Sequence, residues 1–138
     1  MKKYELTAEF IEKWGKKLFR IKALISFGSV EAGELGGYVE KEDNLAQTGN
    51  AWVSGDARVC GDAWVSGDAD YLLIGRIGSR FSFTTFFKNK DKGITVSCGC
   101  FLGTIAEFRA KVTDTHGNNK HAKMYNLAAD MAELQILG

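Results

Sequence analysis

The apolar positions of this chain change period along its length. In TAEFIEKWGKKLF, Phe10, Ile11, Trp14 and Leu18 fall at helical spacing behind Thr7, a residue suited to an N-cap, which predicts a helix over about 8–18 that Gly15 weakens. FRIKALISFG (19–28) then alternates loosely and is rich in branched and aromatic residues, so it predicts a strand. SVEAGELGGYVEKED reads as an acidic, glycine-rich connection with a short strand around Tyr38-Val39.

From residue 43 the period becomes six. DNLAQT (43–48) is a degenerate copy, GNAWVS, GDARVC and GDAWVS (49–66) are regular, and GDADYL (67–72) frays. Ala51, Ala57, Ala63 and Ala69 share one phase, and Val53, Val59 and Val65 share another two residues on. Residues two apart on extended backbone point the same way, so Ala and Val are predicted inward, with Trp52, Arg58 and Trp64 outward. Gly-Asn and Gly-Asp supply the corners, because glycine carries no Cβ and Asn or Asp tolerates left-handed backbone.

Beyond the repeat, RIGSRFSFTTFF and ITVSCGCF read as two strands joined by a turn at KNKDKG. Thr104 with Glu107 forms a capping-box pattern ahead of Ile105, Phe108 and Val112, with Gly117 as the stop. A last helix is predicted over about 119–136, with Ala122, Tyr125, Ala128 and Met131 among its apolar positions.

VSGDAR, VCGDAW and VSGDAD resemble the hexapeptide repeat of left-handed β-helix proteins, with Val53, Val59 and Val65 in the aliphatic position and Ala57, Ala63 and Ala69 in the small one. The resemblance covers about 30 residues, and repeat stacks need neighbours to bury their core. The expected fold is therefore mixed α/β (α+β). A short left-handed β-helix of about 1.5–2 coils is flanked by an N-terminal helix and strand and by a C-terminal hairpin plus two helices. The corresponding segments are 1–42, 43–75 and 76–138. Taken whole, the chain also resembles small prophage-type proteins in which such repeats precede an IGSR…F…CGCF.G…F…HG segment, matched here by Ile77–Arg80, Cys98–Phe101, Gly103, Phe108 and His116-Gly117.

The 138 residues suit one compact unit, and 45% apolar with 25% charged residues is ordinary for a globular chain. No apolar run reaches the length of a membrane span, the first residues lack the apolar core of a secretory signal, and three cysteines fit a reducing compartment, so a cytoplasmic location is expected, in the host cell if the chain is phage-encoded. Net charge is +1, but residues 1–22 carry seven Lys/Arg against three Glu, residues 23–75 two against nine acids, and residues 76–125 nine against three. An acidic middle between basic flanks implies either mutual attraction of the parts or a basic face open to an anion.

These residues offer four candidate chemistries. β-helix acyltransferases, which the resemblance brings in, carry a catalytic histidine on the coils, whereas His116 and His121 both lie outside the repeat. Cys98-Gly-Cys100 with Cys60 lacks the two ligand pairs of a zinc site, and its C-x-C spacing equally suits two small core residues on one strand face. A thiol nucleophile with His116 has no third orienting group in the sequence. GRIGSR (75–80) is the strongest candidate: Arg76, Ser79 and Arg80, with Lys120, form a predicted anion site, with Lys88, Lys90 and Lys92 in the same half. No cofactor or metal is expected. Outward Trp52 and Trp64, with Arg58, mark a contact surface, and the β-helix resemblance implies a trimer, or a dimer. The expectation is a non-enzymatic oligomeric binding protein of a phage, acting against host defence by blocking a host protein or sequestering a nucleotide-like anion. A reduced acyltransferase and a structural assembly module are the alternatives.

Overall fold

The computed structural model describes residues 2–138. Two four-stranded sheets and two helices make up the fold. The first sheet runs β1 (Tyr4–Lys13), β2 (Lys16–Ala23), β3 (Leu35–Val39) and β4 (Arg58–Val59) in spatial order, antiparallel except for the β3–β4 pair. The second is an antiparallel meander of β5 (Tyr71–Ile77), β6 (Ser82–Lys88), β7 (Ile94–Cys98) and β8 (Phe101–Thr104), followed by α1 (Ile105–His116) and α2 (Lys120–Ile136).

The predicted N-terminal helix is a hairpin. Phe10 pairs with Phe19 and Ile11 with Leu18 across β1 and β2, so the apolar residues that suggested a helix face are cross-strand partners. Trp14 and Gly15 take φ of 53° and 72°, both left-handed, which is the two-residue turn whose twist suits a hairpin. Gly15, read as a weakness of a helix, closes that turn.

The predicted β-helix is absent. Between Asn44 and Gly67 only Arg58-Val59 forms a strand, with single bridges from Leu45 to Val65 and from Ala63 to Asn89. The inward phase nevertheless holds through Val65: Ala51, Val53, Ala57, Val59, Ala63 and Val65 are all buried, whereas Ala69, also expected inward, is exposed in the helical turn Asp68–Asp70. The buried residues pack against Tyr4, Ile21, Val39 and Phe87 rather than on further coils. Sides of three residues offer little ladder to pair, and the hairpin and the second sheet supply the apolar cover that further repeats would have given. Lys3, only 2% exposed, ties the start of β1 to this segment by donating to Ala51 O at 2.6 Å.

Outward phase fails at one tryptophan. Trp52 is 8% exposed and meets Tyr4 and Phe27 edge-on, with ring centroids 6.4 and 5.4 Å away, so the chain covers this wall itself. Gly36 makes room for it: a Cβ there would lie 2.6 Å from Trp52 Cζ2. Trp64, at 44% exposure, does face outward.

Alternation along the second sheet builds a layered body. Phe86 and Val96 pack on Phe108, Val112, Tyr125 and Ala129 of the two helices, while Phe87 packs on the repeat segment. Residues 71–77, read as a fraying repeat copy and its exit, form the edge strand β5, whose Leu72 and Ile74 turn to the helices and whose Tyr71 and Leu73 turn to the repeat. α1 forms from the capping box read in the sequence, and α2 starts at Asn119, whose Oδ1 accepts Ala122 N at 3.0 Å. Thr104 Oγ1 accepts Glu107 N at 3.1 Å, Glu107 Oε1 accepts Thr104 N at 2.8 Å, and Gly117 ends α1 with φ 62°. Arg109 joins the helices through Asn126, Asp130 and Glu133.

Candidate functional site

Arg58 stands where the two halves meet. Its N–H donates to Thr85 Oγ1 at 3.1 Å, and its carbonyl accepts Ser97 Oγ at 2.9 Å, so β6 and β7 of the second sheet fix the short strand β4. Beside it the end of β1 and its turn present Lys13 and Trp14, the end of β5 presents Arg76, and the β5–β6 connection presents Arg80 and Phe81. These elements enclose a groove of ≈ 370 Å³ with Asp56 as its one carboxylate.

The groove is a cation cluster assembled from three separate places in the chain. Lys13, Arg58, Arg76 and Arg80 all line it. Among the described residues none of the four makes an ion pair, whereas Lys2, Lys16, Arg20, Lys88 and Arg109 do. Arg76 is steadied by Phe83, with its guanidinium 5.6 Å from the ring centroid. Gly75 permits that contact, since a Cβ there would meet Phe83 at 2.6 Å.

Backbone strain concentrates at the same place. Trp14 and Phe81, at φ 53° and 48°, are two of the three non-glycine residues with left-handed backbone among those described, and both line the groove. Phe81 is also 66% exposed, and Trp14 Nε1 is buried without a hydrogen-bond partner.

Next to the groove lies a second cleft of ≈ 180 Å³ with apolar walls. Phe101, Phe108 and Val112 line it, with Tyr125, on which His116 stacks at 27° and 5.8 Å. Arg80, Ser82, Cys98 and Gly99 line both spaces, so the two are continuous around one wall. Burial, followed by the neighbouring Cys98, pushes the Tyr125 hydroxyl up to about 12, while burial pushes the Cys60 thiol up to about 11.

Those two shifts have a stability consequence. A group whose folded pKa is raised contributes stability that is complete below its unfolded pKa and is lost as pH rises through the folded value. From unfolded values of 9.0 and 10.0, the loss runs over pH 9–11 for Cys60 and 10–12 for Tyr125. The urea midpoint is expected to hold up to about pH 9 and then to fall, with on the order of 2 kcal/mol lost for each group by pH 12. Cys60→Ser and Tyr125→Phe each remove their own part of the decline.

No family model and no curated protein matches this chain. Function therefore rests on the geometry alone.

The structure brings Arg76 and Arg80 together and adds Arg58, which had been assigned to an interface, and Lys13, which no motif marked. Ser79 lines the apolar cleft and not the groove, and Lys120 begins α2 outside both. The hairpin lysines line a separate surface recess with Trp64: Lys88, which pairs with Asp70, together with Lys90 and Lys92. Cys98 and Cys100 do not share a strand face. β7 ends at Cys98, Gly99 turns with φ 56°, and Cys100 is exposed. Cys98 accepts a hydrogen bond from Thr84 Oγ1 at 3.2 Å and lines the apolar cleft together with Cys100 and His116. Among the described residues no three His, Cys, Asp or Glu side chains gather as a metal site, and no helix is long and apolar enough to cross a membrane.

Proposed function

We propose that this protein is a non-enzymatic binding protein that holds a phosphate-bearing anion in the groove of Lys13, Arg58, Arg76 and Arg80. One observation carries the reading: four cations without ion-pair partners among the described residues converge on one concave surface that holds a single carboxylate. Like charges gathered without counter-charges repel one another, and a polyvalent anion relieves that repulsion while accepting the guanidinium N–H groups in pairs. The strained backbone at Trp14 and Phe81 and the unpartnered Trp14 Nε1 are further features of a surface shaped for a ligand. For a phage accessory protein this chemistry serves sequestration of a nucleotide-like anion in the host.

Calorimetric titration with inorganic pyrophosphate tests the reading. The wild type is expected to bind one pyrophosphate per chain, more weakly as salt is raised. Arg58→Ala, Arg76→Ala and Arg80→Ala are each expected to weaken binding about tenfold, the size of one charge-assisted hydrogen bond. Lys90→Ala, on the hairpin recess, is expected to leave binding unchanged. Loss of binding on Lys90→Ala with the arginine variants unaffected places the anion elsewhere.

A further inference from the structure

We infer that the anion carries a flat ring, and that the ring enters the cleft of Phe101, Phe108 and His116 while its phosphates lie in the arginine groove. This rests on the groove being the anion site and adds the class of ligand. The two spaces share Arg80, Ser82, Cys98 and Gly99, so a molecule reaching round that wall occupies both. Their characters differ sharply. The groove is cationic, whereas Phe101, Phe108, Val112 and Tyr125 make the cleft an apolar, aromatic slot of ≈ 180 Å³. The groove at ≈ 370 Å³ already lies in the usual range of about 300–1,000 Å³ for small-molecule sites but lacks their apolar walls, which the smaller adjoining cleft supplies. Inorganic phosphate would leave the slot unfilled, and an apolar ligand would leave the arginines unanswered. A nucleotide satisfies both ends, with ring-on-ring contact at His116 or the phenylalanines and Ser79 and Thr115 at the margin for ring nitrogens.

Comparing adenosine diphosphate with inorganic pyrophosphate separates the two levels of the argument. The wild type is expected to bind the nucleotide at least tenfold more tightly. Thr115→Trp, an exposed helical position whose indole fills the slot, is expected to abolish that advantage without changing pyrophosphate affinity; His116→Ala reduces it. Equal affinity for the two probes overturns the ring assignment and leaves the groove standing. So does an advantage that survives both substitutions. Absence of binding by either probe overturns the groove itself and this inference with it.

A different observation carries a second proposal. Met124, Leu127, Met131 and Leu134 of α2 follow one another at spacings of three, four and three, and are 38, 66, 50 and 75% exposed. That is the seam of a coiled coil, lying opposite the face α2 buries on the sheet. The helix charges run against its dipole: Lys120 and Lys123 sit at the N-terminal end and Asp130 and Glu133 near the C-terminal end, the acids partly answered by Arg109. We propose that α2 pairs antiparallel with α2 of a second copy of this chain. Met124 then meets the partner's Leu134, Leu127 meets the partner's Met131, and each basic end lies beside an acidic one.

Sedimentation equilibrium of the full chain tests it. A dimer is expected at micromolar concentration, and Leu127→Lys with Leu134→Lys is expected to yield a monomer with an unchanged circular dichroism spectrum, since both side chains are exposed. Lys123→Glu is expected to weaken the dimer several-fold. A monomeric wild type, a dimer indifferent to the double substitution, or a dimer tightened by Lys123→Glu each overturns the arrangement.

Discussion

Asn44→Ala is expected to destabilise the fold by about 3–5 kcal/mol, roughly two to three stranded polar groups at the cost each one carries. Asn44 is fully buried, and all four of its hydrogen-bonding positions are used. Its Oδ1 accepts the N–H groups of Glu40 and Lys41 at 3.2 and 3.1 Å, and its Nδ2 donates to Gly61 O and Ala63 O at 3.1 and 3.2 Å. The side chain thus stands in for a strand, linking the end of β3 to a repeat segment that has almost no ladder of its own. Alanine removes the side-chain partner of four backbone groups, of which only Glu40 N–H keeps another, Val59 O at 3.2 Å. Asn44→Asp keeps the two acceptor contacts but sets a carboxylate oxygen against two carbonyls, so it is expected to be no better at neutral pH. Urea unfolding measures both, with exposed Asn50→Ala as a control expected within about 0.5 kcal/mol of wild type. An Asn44→Ala midpoint close to that control would remove Asn44 from the structural account.

Gly78→Ala is expected to cost about 3 kcal/mol or more, from overpacking on top of backbone strain. Gly78 takes φ +84°, and a Cβ built on it falls on the Tyr125 hydroxyl. Tyr125 is buried and its ring packs on Phe108 with centroids 5.7 Å apart, so it has little room to retreat. Gly99→Ala isolates the backbone part: it also has positive φ, at +56°, but its nearest neighbour is Arg80 Nη1 at 4.0 Å. Its cost is expected to be about 1 kcal/mol, the left-handed penalty alone. The difference between the two melting temperatures reports the clash. Because Gly78 lies between Arg76 and Arg80 and Tyr125 lines the apolar cleft, Gly78→Ala is also expected to weaken pyrophosphate binding. Equal melting temperatures for the two variants would contradict this packing.

What the sequence showed was set by how local each cause is. Both C-terminal helices rest on local causes: Thr104 with Glu107 was readable as a cap, and the second helix was readable from its apolar spacing, its Asn119 cap emerging only in the structure. The inward phase of Ala and Val over residues 51–65 was readable too, because it needs only alternation; it fails at Ala69, where the chain turns into β5. Misreadings came where partners lie far apart. Phe10, Ile11, Leu18 and Phe19 satisfy a helix pattern and a hairpin register alike, and only the turn at Trp14-Gly15 separates them. Asn44 and Gln47 sit in a degenerate repeat copy, yet Gln47 Oε1 accepts Lys3 N at 2.8 Å and acts as a strand edge. Trp52 was phased outward because nothing in the repeat announces Tyr4 and Phe27 as its cover. At the site, Arg76 and Arg80 were visible as a pair in one loop. Arg58 and Lys13 join them only through the pairing of β4 with β3 and the β1–β2 turn, which no local pattern records.

A crystal structure grown with pyrophosphate tests whether separated parts of the chain converge to hold an anion. The expected result is diphosphate density between Arg58, Arg76 and Arg80, with Lys13 at its edge and the Trp14–Phe81 backbone unchanged. Density on the hairpin lysines 88–92 with the arginine groove empty would contradict the account.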